Sequence, residues 1–144
     1  MDSKSLMIGD WVTFKDCQNE NPMPIKIVAV GYQADGENDC LVQICKDSTC
    51  DIIEIDDEIV GIPITAEILE KNGFEKISLK SGQVVYSLAD DYYDLEAEEI
   101  TDSIWRIEYF NVEASFPSCR ELVSFVHEVQ HFLNNHIIEK EIEL

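Results

Sequence analysis

Basic residues are scarce in this chain: ten lysines and arginines stand against thirty aspartates and glutamates, a formal charge of −20. The deficit is uniform, with five basic and fifteen acidic residues on either side of Asn72, or −10 in each half. Lysine and arginine are what exchange for the counterions condensed on nucleic-acid phosphates and on anionic lipid, so direct nucleic-acid and membrane-surface binding are excluded as expectations. A basic protein, a cation, or a protein that itself grips DNA is the partner such a field suits.

Glycine is also sparse. The six glycines are scattered, so neither the P-loop nor the dinucleotide fingerprint can be written, and a serine nucleophile elbow is absent. No apolar run approaches the ~18 residues of a membrane span. The start Met1-Asp2-Ser3-Lys4-Ser5-Leu6-Met7-Ile8 lacks the basic and long apolar stretches of a signal peptide, so the cytoplasm is the expected location. Five cysteines, Cys17, Cys40, Cys45, Cys50 and Cys119, are an odd number without an export signal, and this favours reduced thiols over a disulfide framework. Four residues separate Cys40, Cys45 and Cys50, too many for a zinc knuckle, and small buried side chains are the expectation.

What is present is globular: 45% hydrophobic and 9% aromatic residues in 144 suit one domain over 1–144, mainly β over 1–62 and mixed over 63–144. Gly9–Phe14, Ile25–Gly31, Cys40–Cys45 and Asp51–Ile55 read as closely spaced strands, with a polar turn over Asp35–Asp39. That pattern suits a small, strongly bent sheet or SH3-like barrel. The polar turn begins like a calcium loop, but Lys46 stands where the closing glutamate belongs.

Pro63–Phe74 carries full helix punctuation. Thr65 can cap the first amides, Glu67 complements the positive end, Gly73 can stop the helix in the left-handed conformation, and Phe74 can fold back onto it. This predicts a short connector helix. Alternation through Ile77 and Leu79, then Val84, Tyr86 and Leu88, predicts a hairpin turning at Ser81-Gly82. Ile104–Phe110 predicts a last strand with Trp105, Ile107 and Tyr109 on one face, and both Trp11 and Trp105 are expected in the core. Ser118 and Glu121 form a capping box, and Leu122, Phe125, Val126, Val129, Phe132 and Leu133 recur at three and four, which predicts a long amphipathic helix from Ser118 to Ile138. The fold class expected is α+β.

Leu6–Val12, then Pro63-Ile64-Thr65 through Gly73-Phe74, then Val126-His127-Glu128-Val129-Gln130 resemble, in order and spacing over nearly the whole chain, a family of small proteins. Phages, prophages and mobile elements of anaerobic gut bacteria encode them. The resemblance implies a fold and a genomic setting, and it carries over no catalytic residue. The family's last helix usually has another residue where this chain has His131.

Two stretches could carry function. Asp90, Asp91, Asp94, Glu96, Glu98, Glu99 and Asp102 are seven acids without a base, interleaved with Tyr92 and Tyr93. They read as a solvated loop, as a contact surface for a basic partner over Asp90–Asp94, Glu96, Glu98 and Glu99, or as a weak divalent-cation site. His127-Glu128-Val129-Gln130-His131 spells the zinc-protease motif, in which histidines four apart share a metal and the glutamate activates its water. Against that chemistry, the helical wheel puts both histidines on the solvent face, and Asn134 and Ile137 replace the glycine and third histidine of the longer motif. The expectation is therefore no enzyme, no cofactor and no metal. The function expected is an accessory protein acting by contact with a protein partner, with two rivals: an acidic DNA mimic that blocks a host nuclease or DNA-binding protein, and a hydrolase built on the His127–His131 helix.

Overall fold

The computed structural model describes residues 7–14, 24–32, 40–46, 49–54, 59–111, 116–136 and 138–144. The fold is α+β, in two compact units, Met1–Ile62 and Pro63–Leu144.

The first unit holds β1 (Trp11–Phe14), β2 (Ile25–Tyr32), β3 (Cys40–Lys46), β4 (Thr49–Glu54) and β5 (Ile59–Gly61), in the order β4-β3-β2-β1-β5. Every pairing is antiparallel. A turn over Met7–Asp10 starts it: the Asp10 carboxylate accepts the Met7 amide at 2.7 Å, and the Gly9 amide donates to the Ile27 carbonyl at 2.7 Å. Gly9 has φ +98°, a conformation that a side chain would strain. Val12, Ile25, Ile27 and Ile59 are buried, and Trp11 is half-buried with the Lys26 ammonium 5.4 Å over its ring. Cys17, the turn Asp35–Asp39 and the side chains of Cys40, Cys45 and Cys50 lie outside the described residues.

In the second unit, α1 (Ala66–Lys71) has the expected ends. The Thr65 hydroxyl accepts the Ile68 amide at 3.3 Å, Gly73 has φ +84°, and the Phe74 amide turns back to the Leu69 carbonyl with its ring buried. Five antiparallel strands follow as a meander: β6 (Glu75–Ser78), β7 (Val84–Ala89), β8 (Tyr93–Thr101), β9 (Ile104–Asn111) and β10 (Cys119–Val123), in the order β10-β9-β8-β7-β6. Then comes α2 (Val126–Asn135). Leu95, Ala97, Trp105 and Ile107 are buried on one side of the sheet, with the Tyr86 ring edge-on to Trp105 at 5.6 Å. The stacking of His136 on Tyr109 sets the end of α2 over this same side. Trp105 is thus core.

Three expectations are corrected here. The C-terminal helix is shorter: Cys119–Val123 is an edge strand, in register with β9 from Cys119↔Tyr109 to Val123↔Trp105. Pairing with β9 sets Arg120 directly across from Glu108 and buries Val123, so the sheet outweighs a local capping box. Leu122, expected on the helix stripe, is a 67%-exposed strand residue. From Tyr93 to Thr101 the acidic stretch is no loop but the middle strand β8, because Leu95 and Ala97 alternate inward between outward carboxylates. The β6–β7 turn is longer than Ser81-Gly82, closing with Leu79 N–H to the Gln83 carbonyl at 2.8 Å.

After His136 the chain turns back, the Ile138 amide bonding the Leu133 carbonyl at 3.0 Å, and 138–144 follows without helix or strand. Among the described residues, no helix is long and apolar enough to cross a membrane.

Candidate functional site

The β7–β8 hairpin organises the acidic–tyrosine stretch. Asp90 sets its turn: its amide donates to the Tyr93 carbonyl at 2.9 Å, and its carboxylate accepts the Tyr92 and Tyr93 amides at 2.7 and 3.0 Å. This turn leaves Asp91 exposed and Tyr92 79% exposed at the tip.

From Tyr93 onward, alternation along β8 sorts the side chains to two sides. Tyr93 belongs with Leu95 and Ala97. Its ring stacks with Tyr109 at 6.3 Å, Tyr109 with His136 at 4.8 Å, and His136 against Phe132 at 4.4 Å. His136 Nδ1 lies 2.8 Å from the Phe132 carbonyl, and since a carbonyl only accepts, that nitrogen carries the proton. Burial, and after it the Asp90 carboxylate, pushes the Tyr93 phenol up, so it stays protonated. Beside this row of rings is a cleft of about 490 Å³, bordered by Tyr92, Ile138, Asp90, Glu139 and Lys140.

Asp94, Glu96 and Glu98 lie on the other side. Asp94 accepts the Ser87 hydroxyl at 2.9 Å. Glu98 is paired with Arg106, and Glu108 with Arg120, with Arg106 Nε 3.7 Å away. Glu108 is 8% exposed, which two guanidiniums make tolerable. Glu96, directly across from Glu108, has its carboxyl raised above the usual range by burial, then by Asp94 and Glu108, with Arg106 acting in the opposite sense. A second cleft, of about 340 Å³, holds Asp94, Glu96, Tyr93 and Phe110. The structure thus gathers Asp90, Tyr92, Tyr93, Asp94 and Glu96 at one end of the sheet. It leaves Glu98 and the exposed Glu99 toward the other, beside Lys76, Gln83 and Tyr86.

The His127–His131 segment is placed otherwise than expected. His127 is 1% exposed, its ring parallel to Phe125 at 5.7 Å, and His131 is half-buried with its ring 5.8 Å from His127. The pair is not on a solvated face, because the helix starts at Val126 and its first turn is tucked in with Val126 and Val129. The Glu128 carboxylate is occupied at the helix start, accepting the Ser124 amide at 2.6 Å and the Phe125 amide at 3.1 Å. Among the described residues, no group of three or more His, Cys, Asp or Glu side chains is placed to hold a metal ion. Ile137 lies outside the described residues, and Cys119 is a half-buried free thiol.

Sequence reading missed Tyr109, His136 and Phe110 as neighbours of the acidic stretch. Their approach depends on the β8–β9 register, Leu95↔Tyr109 and Asp94↔Phe110, which no local motif encodes. Compared with known proteins, the chain matches no family model, no curated protein and no solved structure.

Proposed function

We propose that this protein is a non-enzymatic accessory protein of a phage or mobile element, working in the cytoplasm through contact with a basic protein partner. The contact is made at the β7–β8 hairpin end. The observation that carries this reading is the exposed Tyr92 standing at a turn whose two flanks are a tyrosine–histidine row and a carboxylate pair. Tyrosine supplies contact area at low ordering cost, while the carboxylates steer a basic partner. The genomic setting rests on the family resemblance. For residues 1–62 the finer reading is an SH3-like barrel, supported by the order β4-β3-β2-β1-β5 and by β2, which pairs with β1 at Ile25 and Lys26 and with β3 from Ile27 onward, across a register shift at Ile27/Ala29.

The absence of chemistry is supported by Glu128, whose carboxylate serves the helix start rather than a water. A DNA mimic draws on Asp94, Glu96 and Glu98, which stand every second residue on one side of β8, ~6.7 Å apart. The pairing of Glu98 with Arg106 weakens that row and favours the contact reading.

The test is affinity capture from host extract at low and high salt, with the wild type beside a Tyr92→Ala/Asp94→Asn double variant. A basic protein should be retained by the wild type, released by salt and lost by the variant. Identical capture by both would reject the site. Displacement of the partner by duplex DNA would turn the reading toward the mimic.

A further inference from the structure

We propose that two copies of this protein pair edge to edge through β6, antiparallel about a twofold axis at Ile77, so that their sheets join into one. The contact is separate from the β7–β8 hairpin end and does not depend on what binds there.

β6 is an open edge. Its residues Glu75–Ser78 are all exposed, and among the described residues it pairs with β7 alone. The Leu79 amide donates to the Gln83 carbonyl at 2.8 Å, continuing the register that sets Ser78 against Val84. Main-chain groups point to alternate sides along a strand, so Leu79, Ile77 and Glu75 turn theirs to β7, while Lys76 and Ser78 turn theirs outward. An outward row of this kind is a template for another strand.

A strand that pairs with its own copy must oppose outward residues to outward residues and keep opposed side chains on one side of the sheet. The axis therefore passes through a residue and not between two. About Glu75 or Lys76 it would set a like-charged pair at the centre, and about Ser78 it would oppose Lys76 to Lys80. About Ile77 no like charges meet. Lys76 then faces Ser78 of the second copy, exchanging both main-chain hydrogen bonds, and Glu75 faces Leu79. Ile77 faces itself as a close, non-hydrogen-bonded pair, with Leu79 on the diagonal. This covers two apolar side chains that are 42% and 43% exposed in the single chain.

The other edge does not offer the same fit. Self-pairing of β10 about Arg120 or Glu121 opposes like charges, and a register about Leu122 needs Ser124, whose carbonyl already accepts the Ile64 amide at 3.0 Å. Charge also favours β6. Residues 71–80 hold Lys71, Lys76 and Lys80 against the single acid Glu75 in a chain of −20, so two copies repel least along this edge.

The test is sedimentation equilibrium of the full chain from about 10 µM to about 1 mM, at low and high salt, since a weak dimer shows itself by mass action. A reversible dimer is expected, strengthened by salt because screening relieves the repulsion that remains between two acidic copies. Ser78→Pro removes an outward N–H and leaves the β7 ladder intact, so the fold should hold while dimer affinity falls at least about tenfold, the change being made twice in a symmetric contact. Ile77→Lys puts two lysines at the axis and should weaken the dimer likewise. Leu122→Lys, on the other edge, should leave it unchanged. A monomer throughout the range at both salts would overturn the proposal and leave the edge to a strand of another protein. A dimer that survives Ser78→Pro and Ile77→Lys, or that is lost in Leu122→Lys, would overturn it as well.

Discussion

The side-chain amide of Asn72 pairs with the main chain of Glu143 as a strand would: Nδ2 donates to the Glu143 carbonyl at 2.8 Å and Oδ1 accepts the Glu143 amide at 2.8 Å. Gln130 does the same a little upstream, donating to the Lys140 carbonyl at 2.8 Å and accepting the Ile142 amide at 2.7 Å. Two carboxamides thus satisfy the main chain of a segment that has no ladder of its own, while Ile138 and Ile142 bury their side chains. The His136 end of the ring row is thereby tied to α1.

Asn72→Ala should lower unfolding stability by about 1–2 kcal/mol, since it strands the part-buried main-chain groups of Glu143 and also breaks the 2.8 Å bond to the Ile68 carbonyl. Asn72→Asp should cost a similar amount, because the carboxylate cannot donate to either carbonyl. Urea titration measures both. A midpoint unmoved by either substitution would mean that the segment holds without the clip.

Glu128→Gln separates two roles by one measurement each. As a helix-start acceptor, Glu128 gains from its charge near the amides of Ser124 and Phe125, so the amide variant should lose about 0.5–1.5 kcal/mol of stability. Retained stability, with stoichiometric zinc in the wild type and a hydrolytic activity lost in the variant, would instead establish the metal-site reading.

Glu108 and Arg120 should respond unequally, although they are partners. Glu108→Ala removes from a nearly buried position the carboxylate that accepts from Arg120 and stands 3.7 Å from Arg106 Nε, an expected loss of about 2–4 kcal/mol. Arg120→Ala touches a side chain that is 58% exposed and should cost under about 1 kcal/mol. Comparable losses in thermal or chemical unfolding would show that Arg120, and not the pair with Arg106, neutralises the site.

How much of this was legible follows from the range of the interactions. The α1 ends were, because Thr65, Gly73 and Phe74 act within a few residues of themselves. Strands β2 and β3 were, through composition and turn spacing. Cys119–Val123 was not: its apolar residues fit both a helical stripe and an edge strand, and only β9 decides between them. For the site, the residue set Asp90, Tyr92, Tyr93, Asp94 and Glu96 could be written from the sequence. Its division onto two sides, and the arrival of Tyr109, His136 and Phe110, needed the register of β8 against β9 and the place where α2 ends.

Glu96 gives the protein a distinct pH response. Its carboxyl is raised above the ordinary 4.5 by burial and by the like charges of Asp94 and Glu108, so the folded state holds its proton more tightly than the unfolded state. Raising pH through this window therefore costs stability: the penalty is absent below the ordinary value, grows above it, and is complete once the folded group has ionised. Glu96→Gln removes the charge and keeps the shape. The variant should be more stable than the wild type at neutral pH, and the difference should vanish as pH falls below the ordinary carboxylate range. A variant equally or less stable at pH 7 would show that Arg106 outweighs burial and the Asp94 and Glu108 carboxylates at this position. Because Glu96 also lines the cleft with Asp94 and Phe110, a basic partner bound there should pull its titration down, which side-chain carboxyl NMR can follow in the free and bound protein.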